Sequence, residues 1–283
     1  MDISIYNGRT KLYAFLSGMG KEETFEVIGI SFKVYDLVLN PMWRHFKSNS
    51  NLNTIFSLQQ LERKPEIHGL ENYSVFLEQG EINIVRKENG VMITDRSWKK
   101  AYVLSTDIPE IGEIFSAQLF YTHAVQRHIL YLHSSLIDYQ GHGLMFLGPS
   151  GIGKTTQAEL WNQYRDALII NGDVVFVQET QEAFLGWGTP WHGSSPYCEN
   201  TNVPVCAMIV LKQAPENSIR ELMGFEKVTA VSNSVFYPRW LENGMELCLE
   251  TLDHLLTKLP VYELSCRPDE DAVKLTEETI FGK

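Results

Sequence analysis

The sequence predicts an α/β fold in which a mixed sheet carries a phosphate-binding loop (P-loop), preceded by a strand-rich N-terminal region. The first hundred residues contain many short runs of alternating apolar and polar residues, a pattern typical of a sheet with one solvated face. From His133 onward, short apolar runs and glycine-rich turns are followed by long helical patterns. We therefore expect two parts, residues 1–108 and residues 109–283.

The first part is predicted to be a series of strands followed by a helix. Glu88-Asn89-Gly90 lies between two strand-like runs and is typical of a hairpin turn. A helix is predicted over Ile111–Leu130, because apolar residues recur there at nearly helical spacing. The predicted strands are Ser4–Tyr6, Lys11–Phe15, Phe25–Ile30, Phe32–Leu39, Tyr73–Leu77, Glu81–Arg86, Val91–Thr94 and Ala101–Leu104.

Charge and composition argue against several classes of function. The formal net charge is −11, which disfavours a nucleic-acid groove or an anionic membrane as the main partner. The longest apolar runs, such as Ala207–Leu211, are too short to span a bilayer, and the N-terminus does not resemble a secretory signal. The four cysteines form no C-x-x-C pair, which argues against zinc and indicates reduced thiols, with Cys206 and Cys248 buried. We therefore expect a cytoplasmic protein that binds neither nucleic acid nor membrane.

The strongest functional signal is a phosphate-binding motif of the Walker A type. The segment Gly148-Pro149-Ser150-Gly151-Ile152-Gly153-Lys154-Thr155 fits G-x-x-x-x-G-K-[ST] in full. A short strand, Leu144–Leu147, is predicted directly before it, and a helix, Thr156–Tyr164, directly after it. In such a loop backbone N–H groups point at phosphate oxygens, Lys154 reaches the β- and γ-phosphates, and Thr155 holds Mg²⁺. Residues 148–156 are therefore predicted to bind a nucleoside triphosphate, ATP with Mg²⁺; the alternative is a glycine-rich turn that binds nothing.

Two hairpins are predicted around this loop. Ser134–Tyr139 and Leu144–Leu147 are separated by Gln-Gly-His-Gly, so the strand before the loop is expected to have an antiparallel neighbour. Ala167–Ile170 and Asp173–Val177 are separated by Asn171-Gly172, the strongest two-residue turn signal. Antiparallel neighbours of this kind make the sheet mixed rather than all parallel.

Three residues outside the loop are the main catalytic candidates. Asp173 begins a strand after a tight turn and is a candidate Mg²⁺ ligand and base for an acceptor hydroxyl; the alternative is an ordinary turn residue. His133 precedes a strand beside the loop strand and can orient a phosphate or an acceptor; the alternative is a core histidine. His192 lies in Trp187–Ser195, which suits a pocket wall, and the polar stretch that follows to Asn202 suits a mobile lid; the alternative is a packing corner. Further candidates are Ser194 and Ser195 as phosphate or substrate donors, and Lys212 and Arg239 as charge-neutralising groups or plain surface charges.

The stretch from His133-Ser-Ser-Leu-Ile through Phe146-Leu-Gly-Pro-Ser-Gly-Ile-Gly-Lys-Thr-Thr to Ile170-Asn-Gly-Asp173 resembles the catalytic domain of HPr kinase/phosphorylase. It is similar, more loosely, to the phosphate-loop core of ATP-dependent phosphoenolpyruvate carboxykinase. The resemblance spans roughly Ile111–Leu275. It implies a mixed-sheet domain with outer helices, ATP and Mg²⁺ as ligands, and functional roles for His133 and Asp173. The family's acidic pair appears here as Gly172-Asp173, so one carboxylate stands where HPr kinases use one for proton transfer and one for the metal.

The favoured function is an ATP-dependent, kinase-like phosphotransferase that transfers the γ-phosphoryl group to a hydroxyl, such as a Ser of a peptide or protein. Residues 1–108 are expected to recognise the acceptor or another partner, and residues 109–283 to bind ATP. Two alternatives stay open. One is a nucleotide-gated binding module without phosphoryl transfer, which the single carboxylate favours; the other is a phosphoenolpyruvate carboxykinase-like activity, which needs more basic groups. A homo-oligomer is also left open.

Overall fold

The structure is a computed structural model that describes residues 3–7, 10–15, 21–49, 53–60, 73–77, 82–87, 90–105 and 109–282. The chain divides into two compact units, Met1–Phe120 and Tyr121–Lys283. Each unit contains a sheet with both parallel and antiparallel pairs, and the second adds several helices. The predicted α/β class with a mixed sheet is therefore confirmed. The roles assigned to residues 1–108 and 109–283 stay predictions.

The first unit contains two sheets. A three-stranded antiparallel sheet has the order β2-β1-β6, and a six-stranded sheet has the order β3-β4-β5-β9-β8-β7, with β5 parallel to both neighbours. Rings fill the core of the larger sheet, where Phe32 stacks on Phe56 at 4.6 Å and Trp43 packs edge-on against Phe25 at 4.9 Å. The strands are β1 (Ile3–Asn7), β2 (Thr10–Phe15), β3 (Glu22–Val27), β4 (Ile30–Tyr35), β5 (Phe56–Gln60), β6 (Tyr73–Leu77), β7 (Ile82–Lys87), β8 (Gly90–Asp95) and β9 (Lys100–Ser105).

Each predicted N-terminal strand overlaps a strand of the structure, but β5 has no counterpart among the predictions. The predicted hairpin between β7 and β8 is present, although Glu81, Glu88 and Asn89 lie outside the described residues. The predicted helix over Ile111–Leu130 is wrong at its end, because helix α1 (Pro109–Ala124) stops earlier and the next strand begins at Ile129. Ile129 is buried in that strand, and apolar spacing does not distinguish this from burial on a helix.

The second unit is built on one eight-stranded sheet. Strands β11, β15 and β17 run parallel to one another, and all the other strand pairs of this sheet are antiparallel. Its strands are β10 (Ile129–Tyr139), β11 (His142–Leu147), β12 (Leu168–Asn171), β13 (Val174–Glu179), β14 (Phe184–Trp187), β15 (Asn202–Gln213), β16 (Ser218–Glu221) and β17 (Val261–Cys266). Its complete helices are α2 (Lys154–Arg165), α3 (Gly224–Ser232), α4 (Gly244–Lys258) and α5 (Glu270–Phe281).

The strand pairings of this unit close on themselves. β10 pairs with β13, β13 with β14, β14 with β15, β15 with β11, and β11 again with β10. The ring closes because β10 and β15 are long enough to pair with two strands in succession. The first part of β10 pairs with β13 and its second part with β11, and the first part of β15 pairs with β14 and its later part with β11. The result is a ring of five strands, from which β17 and β16 extend beyond β15.

The predicted hairpin before the loop is confirmed. β10 and β11 are antiparallel, with Tyr139 opposite His142. The two residues between them, Gln140 and Gly141, have φ of 55° and 82°, which is the left-handed backbone of a tight hairpin turn. The strand that leads into the loop therefore has an antiparallel neighbour on one side and the parallel strand β15 on the other.

The second predicted hairpin is wrong. β12 and β13 do not pair with each other; both run antiparallel to β10, with Leu136 opposite Asn171 and His133 opposite Val174. The chain therefore continues in one direction and is only interrupted at Gly172-Asp173. The buried Asn171 side chain explains this, because its Oδ1 accepts hydrogen bonds from the backbone N–H groups of Asp173 at 2.9 Å and Val174 at 3.0 Å.

Helices pack on the sheet around a core that includes Trp161 of α2, whose ring meets Tyr139 at 5.2 Å. The long helical patterns expected after the glycine-rich turns correspond to α4 and α5 near the end of the chain. The four cysteines are free thiols; Cys248 is buried as predicted, but Cys206 is only half-buried. Within the described part of the chain, no helix has both the length and the apolar character that a bilayer crossing requires.

Candidate functional site

The predicted P-loop joins the end of β11 to the start of α2. Gly148, Gly151 and Gly153 have φ of 139°, 77° and 115°, a region that side chains rarely adopt. A Cβ atom built on Gly151 or Gly153 would meet no atom within 4 Å, so these glycines are needed for their backbone angles and leave open space beside the loop. Such space at the start of a helix is where an anion binds the exposed N–H groups.

Lys154 is a cation held without a carboxylate partner. Its side chain is 6% exposed, and its Nζ donates to the carbonyl oxygens of Gly148 at 3.1 Å and Pro149 at 3.2 Å. Burial lowers the pKa of Lys154, and the negative charge of Asp173 partly opposes this effect. Among the described residues Lys154 forms no salt bridge, so a phosphate is the kind of ligand that would satisfy its charge.

Thr155 connects the loop to the interruption between β12 and β13. Its Oγ1 donates to the carbonyl oxygen of Gly172 at 3.1 Å, which leaves the oxygen lone pairs of the hydroxyl for another ligand. Ser135 Oγ of β10 donates to the Lys154 carbonyl at 3.0 Å. These two bonds fix the first residues of α2 against the sheet beside Asp173.

Asp173 and His133 form a pair. His133 Nε2 lies 2.9 Å from Asp173 Oδ1, and the two side chains are 27% and 32% exposed. The strand register brings them together, because the backbone N–H of Ser134 donates to the Asp173 carbonyl at 3.1 Å. The sequence-predicted residues Lys154, Thr155, Asp173 and His133 therefore lie in one site. No group of three or more His, Cys, Asp or Glu side chains in the described ranges is arranged to hold a metal.

The predicted pocket segment, Trp187–Ser195, touches this site through a tight turn. The N–H of Ser195 donates to the His192 carbonyl at 3.0 Å, and Gly193 has a φ of 56°. A Cβ atom on Gly193 would lie 2.1 Å from Asp173 Oδ2, and one on Gly172 would lie 1.8 Å from Ser195 Oγ. Both glycines are therefore required for the close approach of this turn to Asp173.

His192 has a defined tautomer in this turn. Its Nδ1 makes a short hydrogen bond with the carbonyl oxygen of Ser195, and because a carbonyl only accepts, Nδ1 carries the hydrogen. In the neutral ring the lone pair is then on Nε2. That atom is buried and has no hydrogen-bond partner among the described residues, so the residue that precedes Gly193 has an unused acceptor.

The segment is held in place by buried hydrogen bonds. Asn171 Nδ2 donates to the carbonyl oxygens of Thr189 and Trp191, each at 3.2 Å. Thr189 Oγ1 donates to the Val174 carbonyl at 3.3 Å, and Cys198 Sγ donates to the Thr189 carbonyl at 3.1 Å. These bonds anchor the segment to the sheet; that it forms a pocket wall or a lid stays a prediction.

Three further candidates, Lys212, Arg239 and Ser194, lie outside this contact network, whereas Ser195 belongs to it. Lys212 and Arg239 are exposed, and neither makes a side-chain hydrogen bond or ion pair with a described residue. Ser194 is exposed and Ser195 is buried in the turn. The sequence does not indicate Asn171 or Tyr131 as site residues. Tyr131 lies on the same strand face as His133, stacks on Phe236 at 4.1 Å, and has its pKa raised by burial and by the charge of Asp173.

Comparison with known proteins gives one family match and a distant structural likeness. A family model described as SynChlorMet cassette protein ScmC matches residues 107–267. No curated protein matches the chain. Among solved structures, the Hpr(Ser) kinase/phosphatase from Coxiella burnetii is similar, with 11% sequence identity and a TM-score of 0.33. The alignment covers 53% of this chain and 95% of that chain, and at such a TM-score it carries no argument about function.

Replacing Gly193 with Ala is expected to displace Asp173. The left-handed backbone alone costs about 1–2 kcal/mol of folding free energy, and the clash with the carboxylate is expected to cost about 1–3 kcal/mol more. Gly141→Ala is the matched control, because Gly141 also has a positive φ but open space around its Cβ position. Urea unfolding measures both losses. Equal losses in the two variants would show that the turn does not press on Asp173.

Proposed function

This chain belongs to the family described as SynChlorMet cassette protein ScmC, and we propose that it is a kinase-like enzyme that transfers the γ-phosphoryl group of Mg-ATP to a hydroxyl group. The observation that carries the proposal is a continuous series of contacts. Thr155, which follows Lys154 of the loop, bonds Gly172, and the adjacent Asp173 pairs with His133. These contacts support the proposal because they bring the cation of the loop, the hydroxyl that we assign to the metal and a carboxylate close together, as phosphoryl transfer requires.

The loop supplies the binding of the triphosphate. Its N–H groups and the start of α2 provide positive potential for the α- and β-phosphates. Lys154 Nζ exchanges the carbonyl oxygens of Gly148 and Pro149 for phosphate oxygens, a change that favours its charged form. A cation placed before the reaction in this way stabilises the negative charge of the transferring group without further rearrangement.

Thr155 and Asp173 are the groups that would hold magnesium. The Thr155 hydroxyl gives its hydrogen to Gly172, so its oxygen is available as a ligand, and Asp173 keeps Oδ2 while Oδ1 bonds His133. One carboxylate, one hydroxyl and phosphate oxygens are a common ligand set for Mg²⁺. The ion supplies neutralisation of phosphate charge when bound.

The acceptor hydroxyl must lose a proton as its oxygen attacks phosphorus and the bond to the bridging β–γ oxygen breaks. His192 Nε2 is an unengaged acceptor suited to take that proton. In the resemblance to HPr kinases, position 172 corresponds to part of the acidic pair; here Ser195 fills the space of a side chain at Gly172. We therefore assign proton transfer to His192, leaving Asp173 for the metal and His133 for the orientation of Asp173.

A second candidate is a nucleotide-gated binding module without phosphoryl transfer. The single carboxylate at the described site favours it, because only Asp173 accompanies the loop. A carboxykinase-like activity has less support. An acidic substrate would need basic groups at the site, and Lys212 and Arg239 make no contact with it.

For the kinase-like function, we propose that the acceptor is a hydroxyl of a peptide or protein and that residues 1–108 recognise it.

Lys154→Ala is expected to abolish nucleotide binding. At a ligand concentration of 100 Kd, Mg-ATP stabilises the wild type by about 2.7 kcal/mol through mass action, and the variant should lose the corresponding rise in Tm. Lys274→Ala on α5 is the control, because that lysine is exposed. Titration calorimetry that gives the same Kd for Lys154→Ala and the wild type contradicts the assignment.

Asp173→Asn is expected to keep nucleotide binding but weaken the dependence on magnesium. Turnover of Mg-ATP should fall by roughly a hundredfold or more, as for loss of a catalytic carboxylate. Asp166→Asn is the matched control, because Asp166 is an exposed carboxylate at the C-terminal end of α2. Phosphate release measured as a function of Mg²⁺ concentration gives both the magnesium dependence and the turnover. If neither changes, Asp173 is an ordinary turn residue and the assignment is wrong.

His192→Ala is expected to slow transfer to the acceptor by roughly 10²-fold or more with little change in nucleotide affinity. The reason is that Nε2 takes the acceptor proton, whereas the phosphates are held by the loop. His142→Ala, an exposed histidine in the β10–β11 hairpin, is the control. The measurement is the rate at which a labelled phosphoryl group is transferred, determined at a series of pH values. If the rate and its pH dependence do not change, His192 does not take the proton and the segment has only a packing role.

A further inference from the structure

A cavity of about 560 Å³ lies on another side of the P-loop, and its lining does not include Lys154, Thr155 or Asp173. Its floor and walls come from the loop, from the end of β15 and from the residues that follow β17. β11, β15 and β17 are parallel, so the cavity sits at the carboxyl ends of three neighbouring strands. The carboxyl ends of parallel strands are a common place for ligands in α/β proteins, and the volume lies within the range of small-molecule sites.

A triphosphate bound to the loop would have its α-phosphate end, which carries the nucleoside, directed toward this cavity. The γ-phosphate end belongs beside Lys154, Thr155 and Asp173, because the lysine of such a loop reaches the β- and γ-phosphates. The α-phosphate end must then lie farther along the loop and the first turn of α2. Gly153 and Thr156 are at that place, and both line the cavity.

Gln157 provides a specific recognition group. Its side chain is 3% exposed and lines the cavity, and its Nε2 donates to Cys266 Sγ at 3.3 Å. Its Oε1 is buried without a hydrogen-bond partner in the described residues. A buried acceptor of this kind is costly unless a ligand donates to it, so Gln157 indicates a ligand that carries an N–H or O–H group.

The walls suit a flat heterocycle. Ile152, Leu211, Pro215 and Pro268 supply apolar surface to the cavity, and the cations Lys212 and Arg267 also line it. Apolar walls with one placed polar group are typical of sites that bind and orient a planar ligand.

We propose that this cavity holds the nucleoside of the triphosphate and that Gln157 Oε1 accepts a hydrogen bond from the exocyclic amino group of an adenine base. The inference rests on the proposed function, because it assumes that the loop binds a triphosphate. It adds the base preference, which Gln157 determines.

The test compares three ligands on the full chain by calorimetry: Mg-ATP, Mg-ITP, which has an oxygen in place of the amino group, and Mg-tripolyphosphate, which has no nucleoside. Wild type should bind ATP about tenfold more tightly than ITP. Gln157→Leu removes the acceptor at similar size and should weaken ATP by about tenfold, corresponding to one hydrogen bond. It should leave ITP and tripolyphosphate unchanged. Gln163→Leu, an exposed glutamine on the same helix, is the matched control.

A second variant guards against a folding defect at Gln157. Ala214→Trp fills the cavity from its edge, while the Ala214 backbone N–H bond to Cys266 at 3.2 Å does not depend on the side chain. This variant should weaken ATP and ITP and spare tripolyphosphate.

The outcomes separate this inference from the function on which it rests. Equal weakening of ATP and tripolyphosphate by both variants would mean that Gln157 and Ala214 only support the loop, and it overturns the inference. Unchanged ATP binding in both variants would mean that the base does not lie in this cavity, and this result also overturns the inference. Failure of the wild type to bind tripolyphosphate and ATP would refute the proposed function, and the inference with it.

Discussion

The buried side-chain amide of Asn171 makes four hydrogen bonds to the main chain on two sides. Its oxygen accepts hydrogen bonds from the N–H groups of Asp173 and Val174, and the chain continues past Gly172 without reversing direction. Its nitrogen binds two carbonyl oxygens of the segment that contains His192. Because one residue fixes both segments, Gly172 bonds Thr155 and the adjacent Asp173 bonds His133, while the turn at Gly193 lies against the Asp173 carboxylate. The arrangement of the candidate site therefore depends on this amide.

Local rules were sufficient to predict the loop and the β10–β11 hairpin. Three glycines in the loop take backbone angles that other residues rarely adopt, so the positions of the glycines in the sequence predict where the backbone takes those angles. The same is true of Gln140-Gly141, where two left-handed residues close the hairpin. Lys154 and Thr155 follow from the loop, and Asp173 and His133 were also identified from the sequence, with the resemblance assigning their roles.

Long-range pairing could not be predicted in the same way. Asn171-Gly172 has the composition of a hairpin turn, yet β10 is long enough to pair with both flanking segments in succession. The outcome depends on how the buried Asn171 side chain is bonded: its bonds to residues 173 and 174 are local, but nothing local indicates its bonds to residues 189 and 191. The tautomer of His192 depends likewise on the carbonyl of Ser195, and the free oxygen of Gln157 depends on Cys266, far away in sequence.

The closed ring of strands in the second unit has a consequence for how that unit opens. An open sheet can lose a strand from its edge while the rest stays intact, but each of the five ring strands is bonded on both sides. Partial unfolding that releases one of them must break two rows of hydrogen bonds together. Amide protons of β10 and β11 should therefore exchange with solvent only in the largest opening events. The residues they support, Lys154 and Asp173, then share a single cooperative unit and keep their spacing until that whole unit melts.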